Sequence, residues 1–137
     1  MLSHLEELKP DFDLVEDPRD RYEMLIEIGK ELESFPEEEK TDVNRVPGCV
    51  SGVFLSIKKE DGKIAMKGTS ESLIVKGYVK IILETLNGLT AKEILEAEGK
   101  IKQFIEDTGI YKSLVETRAN AFGNIYQTIK EKVSSLS

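Results

Sequence analysis

The spacing of apolar and polar positions changes twice along the chain, and those changes mark out its elements. Leu2, Leu5 and Leu8 fall near one face of a short helix over residues 1–9, with Ser3 and Glu6 at capping-box spacing. Pro10 to Glu16 reads as a connecting loop. Asp17-Pro18 starts the next helix, with Asp17 as N-cap and Pro18 in the first turn. Tyr22, Leu25, Ile26, Gly29 and Leu32 keep helical spacing to about Ser34, and Phe35-Pro36 stops the run. An acidic, polar stretch follows from Glu37 to Asn44.

The period then drops to two. Val53, Leu55 and Ile57 alternate with Phe54, Ser56 and Lys58, and Asp61-Gly62 is a two-residue hairpin signal. A register with Glu60 opposite Lys63 places Ile57 opposite Met66 and Leu55 opposite Gly68, which gathers the apolar residues on one side. Arg45 to Pro47 is a candidate third, edge strand, since Pro47 cannot donate to a central ladder. Helical spacing returns at Leu73 to Leu86. Only Lys76, Lys80 and Glu84 form a polar stripe there, so this helix is expected at the centre of the core, ending at Asn87-Gly88.

Thr90 and Glu93 form a second capping-box pattern ahead of a short helix through Ile94 and Leu95, which Gly99 is expected to interrupt. Another short helix carries Ile101, Phe104 and Ile105 and ends at Gly109. A last helix is expected from about Thr117 to Val133, with Phe122, Ile125, Tyr126 and Ile129 on its apolar face. The resulting fold class is α+β: a small antiparallel sheet of about three strands covered by helices. Its 137 residues suit one domain, 1–137, with residues 1–16 as an N-terminal helix and loop extension.

Charge and composition narrow the function. A net charge of −7 argues against generic binding to nucleic acid or to an anionic membrane. No apolar run approaches the roughly 20 residues of a membrane span, and the start of the chain lacks a secretory signal pattern. With one cysteine and one histidine, Cys49 and His4, the chain can hold neither an internal disulfide nor a four-ligand zinc site. A reducing, cytoplasmic setting follows as the expectation, and no metal site is expected.

Candidate chemistry is confined to one stretch, Asn44-Arg45-Val46-Pro47-Gly48-Cys49-Val50-Ser51-Gly52-Val53. Cys49 stands between Gly48 and Gly52, on a loop just ahead of the first strand. Arg45 is placed to favour the thiolate, the reactive form, and Ser51 to donate a hydrogen bond to it. Free cysteine is more often a small inert core residue, but buried cysteines usually sit inside regular elements, unlike this one. Arg118, by residue type, reads as a solvated surface side chain.

The segment Asn44 to Leu55 resembles the acceptor-cysteine segment of the SufE/CsdE sulfur-acceptor proteins of iron–sulfur cluster biogenesis. The resemblance extends to Asp20-Arg21-Tyr22 through Gly29, to Ser70-Glu71-Ser72-Leu73-Ile74-Val75-Lys76-Gly77, to Asn87-Gly88-Leu89-Thr90, and to Thr117-Arg118-Ala119-Asn120. Phe54, Glu116 and Ala121 stand where the family usually has Trp, Pro and Gly. The resemblance implies an IscU-like fold and a persulfide carried on Cys49. It implies as sulfur donor a pyridoxal-phosphate cysteine desulfurase of the SufS/CsdA kind, and as recipient a SufBCD-like scaffold complex.

By the same resemblance the pyridoxal phosphate belongs to the desulfurase, and the chain is a transfer accessory without a cofactor, monomeric or weakly dimeric. Arg118 is implied as a supporting residue. The Gly48–Gly52 loop is expected to shelter Cys49 and release it on docking, with Arg45, Gly48, Ser51 and Gly52 as loop and partner-binding residues. Two other readings stand beside the carrier. A cluster scaffold would need several thiolate ligands, which a single cysteine does not supply. A regulatory binding module would carry its cysteine incidentally.

Overall fold

A computed structural model describes residues 3–48, 52–109 and 121–136. The first helix, α1, spans Ser3–Leu14 and passes through Pro10. The loop expected over Pro10 to Glu16 is therefore corrected. Pro10 removes one helical donor, but long-range contacts outweigh that loss. Phe12 is fully buried edge-on against Phe104 at 5.9 Å. The Arg21 guanidinium donates to Phe12 O at 3.2 Å and to Val15 O at 2.8 Å. Leu2 lies outside the described residues, as does the capping role expected of the Ser3 side chain.

Helix α2, Pro18–Gly29, starts as the sequence predicts, with Asp17 accepting from the Arg19 N–H at 2.8 Å. It ends five residues before Ser34. Glu31 N–H and Leu32 N–H bond to Ile28 O and Gly29 O at 3.2 Å, a tightened closing turn. Gly29 itself lies against α3, where an added Cβ would stand 2.8 Å from Gly77 N and from Lys76 Cβ. The acidic stretch that follows forms two short 3₁₀ turns, Glu37–Glu39 and Asp42–Asn44.

Strands β1 (Val53–Glu60) and β2 (Lys63–Ser70) pair antiparallel in the predicted register, including Glu60 with Lys63, Ile57 with Met66 and Leu55 with Gly68. Asp61 and Gly62 have φ of 51° and 80°, the left-handed pair a tight hairpin of this kind requires. Among the described residues the third strand is not formed: Arg45 makes an isolated bridge to Phe54, and the sheet has two strands. Pro47, two residues on, has no N–H with which to extend that bridge into a ladder. On its other side β2 is edged by the turn after α3. Ile64 N–H donates to Leu89 O at 2.8 Å and Gly88 N–H to Ile64 O at 2.9 Å. The Asn87 side chain accepts from Met66 N–H at 3.0 Å and donates to Met66 O at 3.1 Å.

Helix α3 (Leu73–Leu86) begins at a Ser72 cap and is the buried centre, with Tyr78, Val79, Ile81, Ile82 and Leu86 fully enclosed. It packs on α2, on β2 and on the last helix. Helix α4 (Ala91–Glu96) carries the predicted Thr90–Glu93 capping box. Helix α5 (Glu98–Thr108) follows directly, and Gly109 at φ 58° ends it. The break between them falls at Ala97, which caps both helices, and Gly99 is helical inside α5. Helix α6 is described over Ala121–Leu136, and the start expected at Thr117 lies outside the described residues.

Phe122, Ile125, Tyr126 and Ile129 form the buried face of α6. Aromatic rings join four helices in one row. Phe12 of α1 meets Phe104 of α5, Phe104 stacks on Phe122 of α6 at 6.0 Å, and Phe122 meets Tyr78 of α3 at 5.6 Å. The Tyr126 hydroxyl donates to Ile94 O at 2.8 Å, and burial pushes its pKa up to about 12.

Candidate functional site at the Gly48 to Gly52 segment

The chain on either side of the cysteine segment is drawn together at its base. Val46, fully buried, donates its N–H to Val53 O at 2.8 Å, and Arg45 bridges Phe54. The chain before Pro47 and the chain after Gly52 are therefore held together at the start of β1. Gly48 and Gly52 have φ of 80° and 55°, left-handed values that strain any residue with a Cβ. Cys49, Val50 and Ser51, between them, lie outside the described residues, and so does Arg118.

Each glycine faces a polar side chain that the sequence reading did not single out. Gly52 O accepts from Glu71 N–H at 3.1 Å, and a Cβ on Gly52 would stand 2.5 Å from Glu71 Oε1. A Cβ on Gly48 would stand 3.3 Å from the Asn124 amide nitrogen. Glu71 belongs to the Ser-acid stretch noted above, but no one-dimensional signal places it on Gly52. Asn124 is a half-buried polar residue of α6 outside its apolar face, and it is α6 packing beside β1 that brings it here.

The approach to the segment is anchored as well. Lys132 of α6 donates to Val43 O at 2.7 Å, and burial lowers its pKa. Asn44 Nδ2 donates to Glu39 O at 2.8 Å, and Ser56 Oγ to Glu39 Oε1 at 2.9 Å. Arg45 is exposed, with its guanidinium over the Phe54 ring at 5.8 Å. That stacking keeps a cation on the edge of the sheet beside the cysteine segment. Arg21 anchors a second place. Besides its bonds to Phe12 and Val15 it donates to Thr108 O at 2.7 Å and Gly109 O at 3.2 Å, fixing the end of α5.

Among the described residues no group of three or more His, Cys, Asp or Glu side chains is placed to hold a metal ion. No described helix is long and apolar enough to cross a membrane. In the sequence Cys49 falls between Gly48 and Gly52, both left-handed, and the flanking Val46 and Val53 are joined by a backbone hydrogen bond.

The fold defines the class: an α+β protein with a small antiparallel hairpin covered mainly by helices. It is similar to the solution structure of a hypothetical protein from Thermus thermophilus, with a TM-score of 0.74 at 18% identity, over 97% of this chain and 95% of that one. The family model of SufE, the Fe-S metabolism associated domain, matches residues 6–133, and the chain belongs to that family. An uncharacterised SufE-like protein of Synechocystis is 45% identical over 116 residues, covering 85% of this chain and 71% of its own. The sulfur acceptor protein CsdE of Escherichia coli is 32% identical over 111 residues, covering 80% and 74%. These findings bear out the resemblance read from the separate segments.

Proposed function

We propose that this chain accepts sulfur as a persulfide on Cys49 from a pyridoxal-phosphate cysteine desulfurase, stimulates that enzyme, and passes the sulfur to an iron–sulfur scaffold complex. One observation carries the reading. The only cysteine of a SufE-family chain falls, in sequence, between two left-handed glycines whose flanks are joined by the Val46–Val53 hydrogen bond. The name of the Escherichia coli relative, a sulfur acceptor protein, agrees with it.

The step is thiol exchange without net oxidation. The Cys49 thiolate attacks the outer sulfur of the donor's cysteine persulfide, the new S–S bond forms, and the donor's S–S bond breaks. The donor cysteine leaves as a thiolate and takes up a proton from solvent. Rate depends on the thiolate fraction, its nucleophilicity and its access. Cleavage of the C–S bond of free cysteine belongs to the donor and its cofactor, so this chain needs neither. A second cysteine nearby would close the persulfide into a disulfide and release sulfide; the chain has none. Arg118 and Ser51 belong to the proposal as supporting residues.

Intact-mass spectrometry tests it. After incubation with a cysteine desulfurase and free cysteine, the chain should gain the mass of sulfur, removable by reductant. Cys49→Ser should remain folded and gain none. If Cys49→Ser stimulates the desulfurase as well as the unaltered chain does, the binding-module reading replaces this one.

A further inference from the structure

Along β2 the backbone groups of every second residue point away from β1. For Ile64 they bond to the backbone of Gly88 and Leu89. For Met66 they bond to the Asn87 side chain, whose amide takes both the N–H and the C=O as a strand residue would. Gly68 is the next in this series and is buried, yet neither its N–H nor its C=O has a partner among the described residues. Its Cα faces the core, where a Cβ would stand 2.8 Å from Leu55 and from Val79. Glycine is thus required there by packing, whereas its backbone groups open sideways.

They open into a cavity of about 230 Å³ between the end of α2 and α3, walled by Leu32, Glu33, Lys80 and Leu83. That is many times the roughly 10–15 Å³ one water requires. A neighbouring cavity of about 470 Å³ shares Leu32 and Glu33 and continues past Thr69 to Ile26, Phe35 and the exposed Leu73. The two make one groove along the β2 edge, with an amide donor and acceptor on one wall and, on the others, apolar Leu32, Phe35, Leu73 and Leu83 interspersed with charged Glu33, Lys76 and Lys80. Asn87 closes it at Met66. An added strand can therefore bond to β2 only at Gly68, two residues short of Ser70, whose cross-strand partner Val53 follows Gly52. Two strand residues span roughly 7 Å, so the groove leads to the end of the sheet that bears the cysteine segment.

We propose that this groove takes an extended segment of the sulfur-donating partner. The segment adds to β2 by backbone hydrogen bonds to Gly68 and seats its apolar side chains against Leu32, Phe35 and Leu73. The identity of the partner rests on the function proposed above; the groove itself does not.

Nuclear magnetic resonance on the ¹⁵N-labelled chain tests both parts. Acetyl-alanine N-methylamide, a capped residue with one matching donor and acceptor, should move the Gly68 amide resonance downfield and saturably. The neighbouring Lys67 amide, which points toward β1, should move much less. No saturable movement at Gly68 overturns the groove. In complex with the desulfurase, exchange of the Gly68 amide proton should slow about tenfold. If the desulfurase loads Cys49 while Gly68 exchanges as before, the donor is not the occupant. If the capped residue binds at Gly68 but Cys49 never gains sulfur, the groove stands and the carrier reading falls.

Discussion

Gly77→Ala should force α2 and α3 apart. The added methyl would stand 2.3 Å from Leu25 O, 2.9 Å from Leu25 C and 3.1 Å from Leu25 Cα, all backbone atoms of α2. Ordinary contact begins near 3.4 Å, so the closest approach is more than an ångström too short. No side-chain rotation relieves it. The facing Gly29 shows that the crossing is close from both sides, and Leu25 is fully buried against α3. Overpacking of this kind costs about 3 kcal/mol, at the upper end of the usual range. Alanine returns about 1 kcal/mol of helix propensity. A net loss of about 2 kcal/mol should lower the melting temperature of a chain this size by roughly 6–10 °C. Gly123→Ala in α6 is the control, since its Cβ would meet nothing within 4 Å. It should be neutral or stabilising by up to about 1 kcal/mol. Urea unfolding followed by circular dichroism measures both. Equal stability of Gly77→Ala and the unaltered chain, or equal losses in the two variants, would refute the argument from the close crossing.

Gly52→Ala should slow sulfur loading of Cys49 several-fold while the melting temperature falls by only a few degrees, because the strain at φ 55° and the clash with Glu71 act on the loop. Timed intact-mass measurements give the rate, and an unchanged rate would show that the loop does not depend on this glycine. Arg21→Lys should cost about 2–3 kcal/mol, since an ammonium cannot reach Phe12, Val15, Thr108 and Gly109 carbonyls together. Arg19→Lys, on the same helix, should cost little. Stability should also fall with acid. Glu84, Glu93, Glu98 and Asp107 are held below their ordinary values of 4.5 and 3.8, chiefly by hydrogen bonds from Lys80, Thr90, Lys130 and Lys9 respectively. In that window the unfolded chain binds protons first. The stabilisation is therefore complete above about pH 4.5 and lost as pH drops through the lower folded values. Thermal melts across this range test it, and Lys9→Met should flatten the part due to Asp107.

Local chemistry made much of this fold legible. Asp61-Gly62 permits the tight turn, and only one register then puts Ile57 beside Met66, so the hairpin followed from nearest neighbours. Leu73 to Leu86 and the Thr90–Glu93 box were likewise readable, because spacing and caps act within one or two turns. Distant partners decided the departures. Pro10 ends a helix unless Phe12 has somewhere to go, and its seat against Phe104 lies far along the chain. Gly29 reads as one helical position among others until Gly77 is packed on it. Gly48 and Gly52 were visible as the bounds of the candidate site. Glu71 and Asn124 were not, since only the topology brings them to those glycines.

The aromatic row carries a consequence for biosynthesis. Phe12 leaves the ribosome early, but its seat is built from Phe104, 92 residues later in the chain. At about 5–20 residues per second, the nascent first helix waits roughly 5–20 s with its apolar face uncovered. In that interval it is a natural client for a chaperone stationed at the exit tunnel.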